Sequence, residues 1–244
     1  MARTCSEVRR VDCRRRSATT ISLPRPFILA IRISAVADMA PYMAREPTMT
    51  NLSTDSEGDA TPRLAPPSPW VERFFGGIAA GGRVLDVACG AGRHLAYGLQ
   101  LGRSMVGVDR DVTAARTLSG RGSLELIETD LEDGRPFPFG SGTFDGVIVT
   151  NYLWRPILPD IVRCVGPAGL LVYETFGAGN ERFGRPTNPA FLLQPGELLA
   201  AVMPHLRVIA FEHVRLAHPD RIVQRIAAVG TDHRWPGADT PGPT

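Results

Sequence analysis

The sequence contains no lysine. It has 244 residues with 27 basic side chains, and every one of these is an arginine. Schiff-base catalysis, a pyridoxal-phosphate site and the phosphate-binding lysine of a P-loop all need a primary amine on a side chain. The absence of lysine therefore excludes these three kinds of chemistry.

Long apolar runs and metal-binding patterns are also missing. The longest apolar run of the N-terminal part, residues 27–40, is interrupted by Arg32 and Asp38 and is shorter than the ~20 residues of a membrane span. The four cysteines include no C-x-x-C pair, and the five histidines form no H-E-x-x-H pattern. The sequence thus predicts no membrane partner, no metal and no disulfide framework, and we expect a reduced, cytoplasmic setting.

The charge is distributed unevenly along the chain. Residues 1–48 hold 9 arginines and 4 acids, a net charge of +5, whereas residues 49–244 hold 18 arginines and 21 acids, a net charge of −3. The basic sequence pI therefore reflects the N-terminal part alone. A mildly acidic remainder without a basic stripe predicts no nucleic-acid partner.

The composition divides the chain into three parts. Residues 1–66 are predicted to be a disordered arginine-rich arm and polar linker, 67–231 a folded domain, and 232–244 a flexible tail. An Arg-rich, acid-poor arm is typical of an organellar transit peptide. The alternative, which we favour, is that translation starts later, at Met43 or Met49.

Short apolar strands alternate with helical segments from residue 70 onward. The predicted helices are 70–75, 94–101, 112–118, 159–165 and 195–203, and the predicted strands are 83–87, 104–108, 124–128, 144–149, 170–174, 207–214 and 221–229. This alternation predicts an α/β fold: a doubly wound, mostly parallel seven-stranded sheet with helices on both faces. The connection between the last two strands is too short for a parallel crossover, so we expect an antiparallel hairpin at the C-terminal edge.

A glycine loop follows the first predicted strand, with Gly90 and Gly92 before a helix. Such a turn lets a ligand approach bare backbone, and the helix N-terminus favours a negative group. Three acids accompany it: Asp86 in the strand, Asp109 at the end of the next strand, and Asp130 after the third. Because the carboxyl ends of parallel strands meet at one edge, we expect these groups to converge on a ligand crevice.

The segment V-L-D-V-A-C-G-A-G (residues 84–92) resembles the first motif of the class I S-adenosylmethionine-dependent methyltransferases. The acid after the second strand, Thr-Asp-Leu at 129–131, Phe-Asp at 144–145 and the terminal hairpin are similar to that family too. The resemblance covers residues ~70 to 230 and implies a Rossmann-like fold with S-adenosylmethionine as cofactor. Segments 151–153, 173–176, 179–186 and 192–198 resemble a bacterial branch near the tellurite-resistance methyltransferases.

The resemblance also implies a role for each matching residue. Asp86 would orient the loop near the methionine amino group, and Gly90 and Gly92 would give backbone room beside the cofactor. Asp109 would accept hydrogen bonds from the ribose hydroxyls. The remaining cofactor-binding residues are Asp130 for the adenine amino group, the Leu131 backbone N–H near it, Asn151 near the transferable methyl, and Arg93, which is either a partner of the cofactor carboxylate or a solvated helix residue.

Catalytic groups are less clearly marked. A base is needed only for a protonated acceptor, and the candidates at or near strand ends are Asn151, Tyr152, Tyr173 and Glu174. Cys89 is interpreted as a small buried turn residue and His94 as a helix residue near the cofactor. Asp111 is expected to cap the next helix.

The connection from 177 to 194 is long for a strand-to-helix loop, and we expect it to be a substrate lid. Its charged residues are Glu181, Arg182 and Arg185, and the two arginines suggest an anionic acceptor. The expected function is methyl transfer to a small-molecule acceptor. The alternatives are a non-catalytic cofactor-binding scaffold and a nicotinamide-dependent oxidoreductase.

Overall fold

The computed structural model describes residues 64–235, so the predictions for residues 1–63 and 236–244 lie outside the described residues. Within this range the strands are β1 Arg83–Val87, β2 Ser104–Asp109, β3 Leu124–Glu128, β4 Phe144–Thr150, β5 Val165–Phe176, β6 Arg207–Leu216 and β7 Arg221–Val229. The helices are α1 Pro69–Phe75, α2 Arg93–Gln100, α3 Leu158–Arg163 and α4 Glu197–Val202. Short 3₁₀ helices occupy Ala115–Leu118, Arg155–Ile157, Asn180–Arg182 and Pro189–Phe191.

The seven strands form one sheet in the order β3-β2-β1-β4-β5-β7-β6. The first five strands are parallel, and β7 pairs antiparallel with both β5 and β6. β7 therefore runs opposite to the other six strands. This arrangement confirms the predicted α/β sheet and its antiparallel hairpin at the C-terminal edge.

Side chains alternate between the two faces of the sheet, and helices cover both. On one face, α1 and α2 pack over a core that includes Val84 and Val172. On the other face, α3 and α4 cover a core that includes Leu85 and Tyr173. Two neighbouring residues of one strand therefore lie in different cores. The sheet face on which a side chain lies thus determines whether it can reach a cavity.

Two of the predicted helices differ from the structure. The helix expected at 112–118 is only a 3₁₀ turn at Ala115–Leu118, because β-branched Val112 and Thr113 form helix poorly and the segment is too short to nucleate one. The helix expected at 159–165 ends at Arg163, and β5 begins at Val165, before the predicted turn. The register shift between Phe144 and Gly146 accommodates this irregular start.

The first described residues belong to the packed domain rather than to a free linker. Leu64 lies half-buried against the α1–α2 core, and the Pro66 carbonyl accepts a 3.5 Å hydrogen bond from Arg93. At the other end, His233 contacts the Gly77 carbonyl and the Trp235 ring packs, tilted, against Phe74. No helix among residues 64–235 combines the length and apolar character that crossing a bilayer requires.

Candidate cofactor and acceptor site

The loop after β1 leaves its backbone open at the carboxyl edge of the sheet. Gly90 has a φ of 53° and Gly92 a φ of 84°, a region that side-chain-bearing residues rarely adopt. A Cβ on Gly90 would meet nothing within 4 Å, whereas one on Gly92 would lie 2.8 Å from a Leu118 methyl. Gly90 thus keeps open space above the loop. Gly92 allows the start of α2 to pack close to the 3₁₀ turn at Ala115–Leu118.

A cavity of about 390 Å³ lies beside this loop, over the ends of β1, β2 and β3. We call it the Asp109 cavity. Its lining residues are Ala88, Asp109, Arg110, Asp130, Leu131, Glu132, Tyr152 and Phe191. Of the three acids predicted to converge on a ligand crevice, Asp109 and Asp130 line this cavity and Asp86 does not.

Local hydrogen bonds fix the two acids of the Asp109 cavity. Asp109 accepts from the Gly90 N–H at 2.8 Å and from the Asp111 N–H at 3.1 Å. Asp130 accepts from the Glu132 N–H at 2.9 Å. Carboxylates held in this way keep further lone pairs for a ligand with several N–H and O–H donors, as the ribose and adenine of S-adenosylmethionine have.

Tyr152 adds an unused polar atom to the same cavity. Its hydroxyl is buried and has no hydrogen-bond partner among the described residues. Burial raises the pKa of Tyr152, and the nearby acids add to the rise, so the phenol stays protonated at neutral pH. It can therefore donate or accept a ligand hydrogen bond, but as a base it is poorly suited.

A second cavity, of about 460 Å³, lies over the ends of β4 and β5 and the start of β7. We call it the Glu174 cavity. Among its lining residues are the predicted Arg93, Asn151, Glu174 and Arg185, together with Arg221. Asn151 and Tyr152 are consecutive and line different cavities, so the two cavities lie side by side along the sheet edge.

Glu174 is the most deeply buried charged residue of that cavity, with 4% of its surface exposed. One carboxylate oxygen accepts from the Ser68 hydroxyl at 3.1 Å, and the other lies 3.4 Å from an Arg225 nitrogen. Arg225 in turn pairs with Glu212 at 2.6 Å and lies over the Trp70 ring. The carboxylate therefore has a counter-ion behind it while it borders the cavity.

Asp86 is not a lining residue of either cavity; it lies directly beneath the glycine loop. It is 1% exposed, and one of its oxygens has no partner in the described chain. Burial raises its pKa to about 8, Asp109 adds to the rise, and Arg93 opposes it. An unpartnered carboxyl beneath a ligand loop fits a group that carries N–H donors or positive charge, as the amino group of the cofactor does.

His94 connects this acid to Ser68, the N-cap of α1. Its Nε2 accepts the Ser68 backbone N–H at 3.1 Å, so its proton sits on Nδ1, 3.9 Å from Asp86. Burial lowers the pKa of His94 to about 3, with Arg93 contributing. The ring is neutral and structural, in line with its interpretation as a helix residue near the cofactor.

Tyr173 does not reach a cavity. It is fully buried in the α3–α4 core, on the opposite face of β5 from Glu174, and its hydroxyl donates to the Tyr152 carbonyl at 2.9 Å. Its candidacy as a base is therefore corrected: burial raises its pKa, and its proton already has a partner. Burial likewise raises the pKa of the Cys89 thiol, which agrees with its interpretation as an inert turn residue.

The predicted lid residues divide in the same way. Arg185 lines the Glu174 cavity, whereas Glu181 accepts from the Gly179 N–H at 2.8 Å and Arg182 lies exposed outside both cavities. Asp111 accepts from the Thr113 N–H at 2.9 Å in the turn before the 3₁₀ segment, whose N-cap is Ala114 without a side-chain hydrogen bond. The expected role of Asp111 as a helix cap is therefore wrong. The lid interpretation therefore rests on Arg185 alone among the three.

Sequence reasoning missed the residues that hold this loop in place. Arg155 donates to the Ala190 and Leu192 carbonyls and forms a bidentate pair with Glu197. Gln224, which is fully buried, donates to the Leu193 and Gln194 carbonyls. Only the buried polar position of Gln224 within an apolar strand was a usable sequence signal, because the contacts themselves join residues 30 or more positions apart.

Comparison with known proteins connects this geometry to a fold. A family model described as a methyltransferase domain matches residues 84–169. The 1,6-didemethyltoxoflavin-N1-methyltransferase of Burkholderia thailandensis, solved with S-adenosylhomocysteine, superimposes with a TM-score of 0.52 and 18% identity, covering 68% of this chain and 78% of that one. The fold is that of the class I methyltransferases.

Curated relatives match part of the chain. A protein-L-isoaspartate O-methyltransferase of Rhodopseudomonas palustris is 33% identical over 112 residues, which is 43% of this chain and 49% of the relative. A tRNA U34 carboxymethyltransferase of Methylococcus capsulatus is 33% identical over 117 residues, 42% of this chain and 35% of the relative. The chain thus spans about half or less of the length of these relatives.

Proposed function

We propose that the protein transfers a methyl group from S-adenosylmethionine to a small-molecule acceptor. The observation that carries the proposal is the pair of adjacent cavities at one sheet edge, with the open glycine loop beside them. The Asp109 cavity would hold the adenosine part of the cofactor. The Glu174 cavity would hold the acceptor.

Each residue contributes binding or orientation. Asp109 would accept from the ribose hydroxyls, Asp130 and the Leu131 N–H would recognise adenine, and Arg93 would pair with the cofactor carboxylate. Asp86 would stabilise the amino group through its free oxygen. S-adenosylmethionine supplies an already electrophilic methyl group, so positioning and water exclusion are the main tasks left to the protein.

Asn151 and Glu174 are the catalytic candidates that border the acceptor cavity. Asn151 has a φ of 56°, a strained value for a non-glycine residue at the end of β4, where functional residues are often held. Its amide would orient the acceptor. Glu174 would take a proton from an acceptor that arrives protonated.

The cavity size supports a small acceptor. A volume of about 460 Å³ lies within the usual range for small-molecule sites. The relatives named above act on a protein and on a tRNA, so acceptor size must be tested directly. The likeness of segments 151–153, 173–176, 179–186 and 192–198 to the tellurite-resistance branch is a further part of this proposal.

Two measurements test the proposed function. Calorimetry with S-adenosylhomocysteine and with NADH separates it from the oxidoreductase alternative, and we expect binding of the first alone. Turnover of labelled methyl from S-adenosylmethionine on a metabolite panel then separates an enzyme from a non-catalytic scaffold. Binding of NADH alone, or methylation only of protein or tRNA, would contradict the proposal.

A further inference from the structure

The charges that line the Glu174 cavity do not balance. Three arginines line it, Arg93, Arg185 and Arg221, and none of them has a carboxylate within 4.0 Å among the described residues. The two lining acids are Glu174 and Asp220. The balance therefore depends on whether these acids are available to the arginines.

Both acids are already paired with arginines that do not line the cavity. Glu174 lies 3.4 Å from Arg225, and Asp220 lies 2.7 Å from Arg215. Asp220 is therefore compensated from outside the cavity, and Glu174 shares the Arg225 guanidinium with Glu212. Within residues 64–235, neither acid pairs with a lining arginine. Arg93 and Arg221 are half-buried, and Arg185 is exposed at the rim. Guanidinium groups without a counter-ion attract an anion, and their planar donors match carboxylate and phosphate oxygens.

The three arginines have different positions. Arg93 starts α2 beside the glycine loop and donates to the Thr150 hydroxyl at 3.4 Å, on the cofactor side of the cavity. Arg221 begins β7, and Arg185 belongs to the connection between β5 and α4. Both lie on the side of the cavity away from the glycine loop. Arg185 and Arg221 are thus the pair available to the acceptor when Arg93 is used for the cofactor.

Aromatic side chains complete the acceptor surface. Phe176 at the end of β5 and Phe183 in the connection also line the cavity. Phe183 is 36% exposed and lies under the Arg215 guanidinium, 4.7 Å from its carbon to the ring centroid. An apolar wall next to two uncompensated cations favours a molecule with an apolar body and an anionic end.

We propose that the acceptor is a small molecule with an apolar body and a carboxylate or phosphate group, and that Arg221 and Arg185 bind this anionic group. This inference rests on the proposed function, because it takes the anionic molecule to be the methyl acceptor of that same site. It replaces the predicted Arg182–Arg185 pair, because Arg182 lies outside the cavity and Arg221 lines it.

The test uses matched probes that differ only in charge. Binding of 4-hydroxybenzoate, its neutral carboxamide and phenyl phosphate is measured by calorimetry on the full chain, with and without S-adenosylhomocysteine, at fixed ionic strength. We expect an anionic probe to bind about tenfold or more tightly than the carboxamide, the scale of a charge-assisted hydrogen bond. Preference for 4-hydroxybenzoate indicates a carboxylate, and preference for phenyl phosphate alone indicates a phosphate.

Variants assign the preference to the two arginines. In R185Q/R221Q we expect the affinity for the anionic probe to fall to about that for the carboxamide. The affinity for S-adenosylhomocysteine and Tm should stay unchanged. The matched control is R163Q, an exposed arginine at the end of α3 that pairs with Asp160 and is outside both cavities. It should keep the wild-type preference.

Three results would overturn the inference: equal binding of the carboxamide and the anions, no binding of any probe, or an unchanged preference in R185Q/R221Q. Each of these can occur while S-adenosylhomocysteine still binds the wild-type protein, and the proposed function then survives. Failure of S-adenosylhomocysteine to bind contradicts the proposed function instead. The two failures are therefore distinguishable in one set of titrations.

Discussion

Asp86 makes the stability of the protein depend on pH in a way that a single substitution should remove. The carboxyl is 1% exposed, one oxygen has no partner in the described chain, and burial raises its pKa to about 8. In the unfolded chain the same group titrates near 3.8. Asp86→Asn keeps the shape of the side chain but cannot bind or release this proton.

The sign follows from the two pKa values. Below about pH 4 the carboxyl is protonated in both states, and it contributes nothing to the pH dependence. Between pH 4 and 8 the unfolded chain is ionised while the folded protein holds the proton, so the free energy of unfolding falls as the pH rises. Above about pH 8 both states are ionised, and the loss stops growing.

The size follows from the same interval. At 1.36 kcal/mol for each tenfold change, a rise from 3.8 to about 8 sets a ceiling of roughly 5–6 kcal/mol. Water penetration and side-chain relaxation lower the effective cost of a buried charge, so we expect about 2–4 kcal/mol. As the pH rises from 4.5 to 8, the free energy of unfolding of D86N relative to that of wild type should therefore increase by this amount.

Urea unfolding at several pH values between these limits measures the effect. The control is Asp232→Asn, which removes an exposed carboxylate and should show the wild-type pH dependence. A difference between D86N and wild type that is the same at every pH would refute the reasoning, because a constant offset reports lost packing rather than a proton. The D86N variant should also bind S-adenosylhomocysteine more weakly.

Three further predictions follow from the site. Asp109→Asn should weaken S-adenosylhomocysteine binding by about 2–3 kcal/mol, or about 30- to 150-fold in calorimetry, and should also lower Tm, because the amide has one acceptor oxygen for two backbone N–H groups; unchanged affinity would remove Asp109 from the ribose site. Cys89 should resist alkylation by iodoacetamide at pH 8 in the folded protein and react after urea denaturation, as followed by mass spectrometry; rapid native labelling would contradict its burial. Arg155→Met should speed tryptic cleavage after Arg182 by about tenfold, because two loop carbonyls lose their donor, and an unchanged rate would show that other contacts hold the loop.

The strand ends were predictable because their signal is local. Asp109 ends an apolar run that reads as a strand, and Asp130 follows the next, so parallel topology alone brings them together. The two faces of β5 carried no such signal. Tyr173 and Glu174 are neighbours in a strand covered on both sides, and periodicity does not say which side holds the cavity.

Contacts between distant parts of the chain explain most of what was missed. Ser68 was predictable as a helix N-cap before Pro69, and it does accept from the Trp70 N–H at 3.2 Å. Its bond to Glu174 joins residues 106 positions apart, and no sequence pattern marks it. The sequence does not mark Arg221 as a site residue for a similar reason, because only the sheet order brings the start of β7 to the cavity.

The reversed direction of β7 divides the molecule into parts that can change independently. Its first residues, and the turn that precedes them, sit at the same edge as the carboxyl ends of the parallel strands, so Pro219, Asp220 and Arg221 line the Glu174 cavity. The glycine loop and Asp109 come from chain segments more than 100 positions earlier. Under the proposed function, insertions or substitutions in the β6–β7 turn would alter which acceptor binds without disturbing cofactor recognition, and variation in this turn would translate most directly into new substrate ranges.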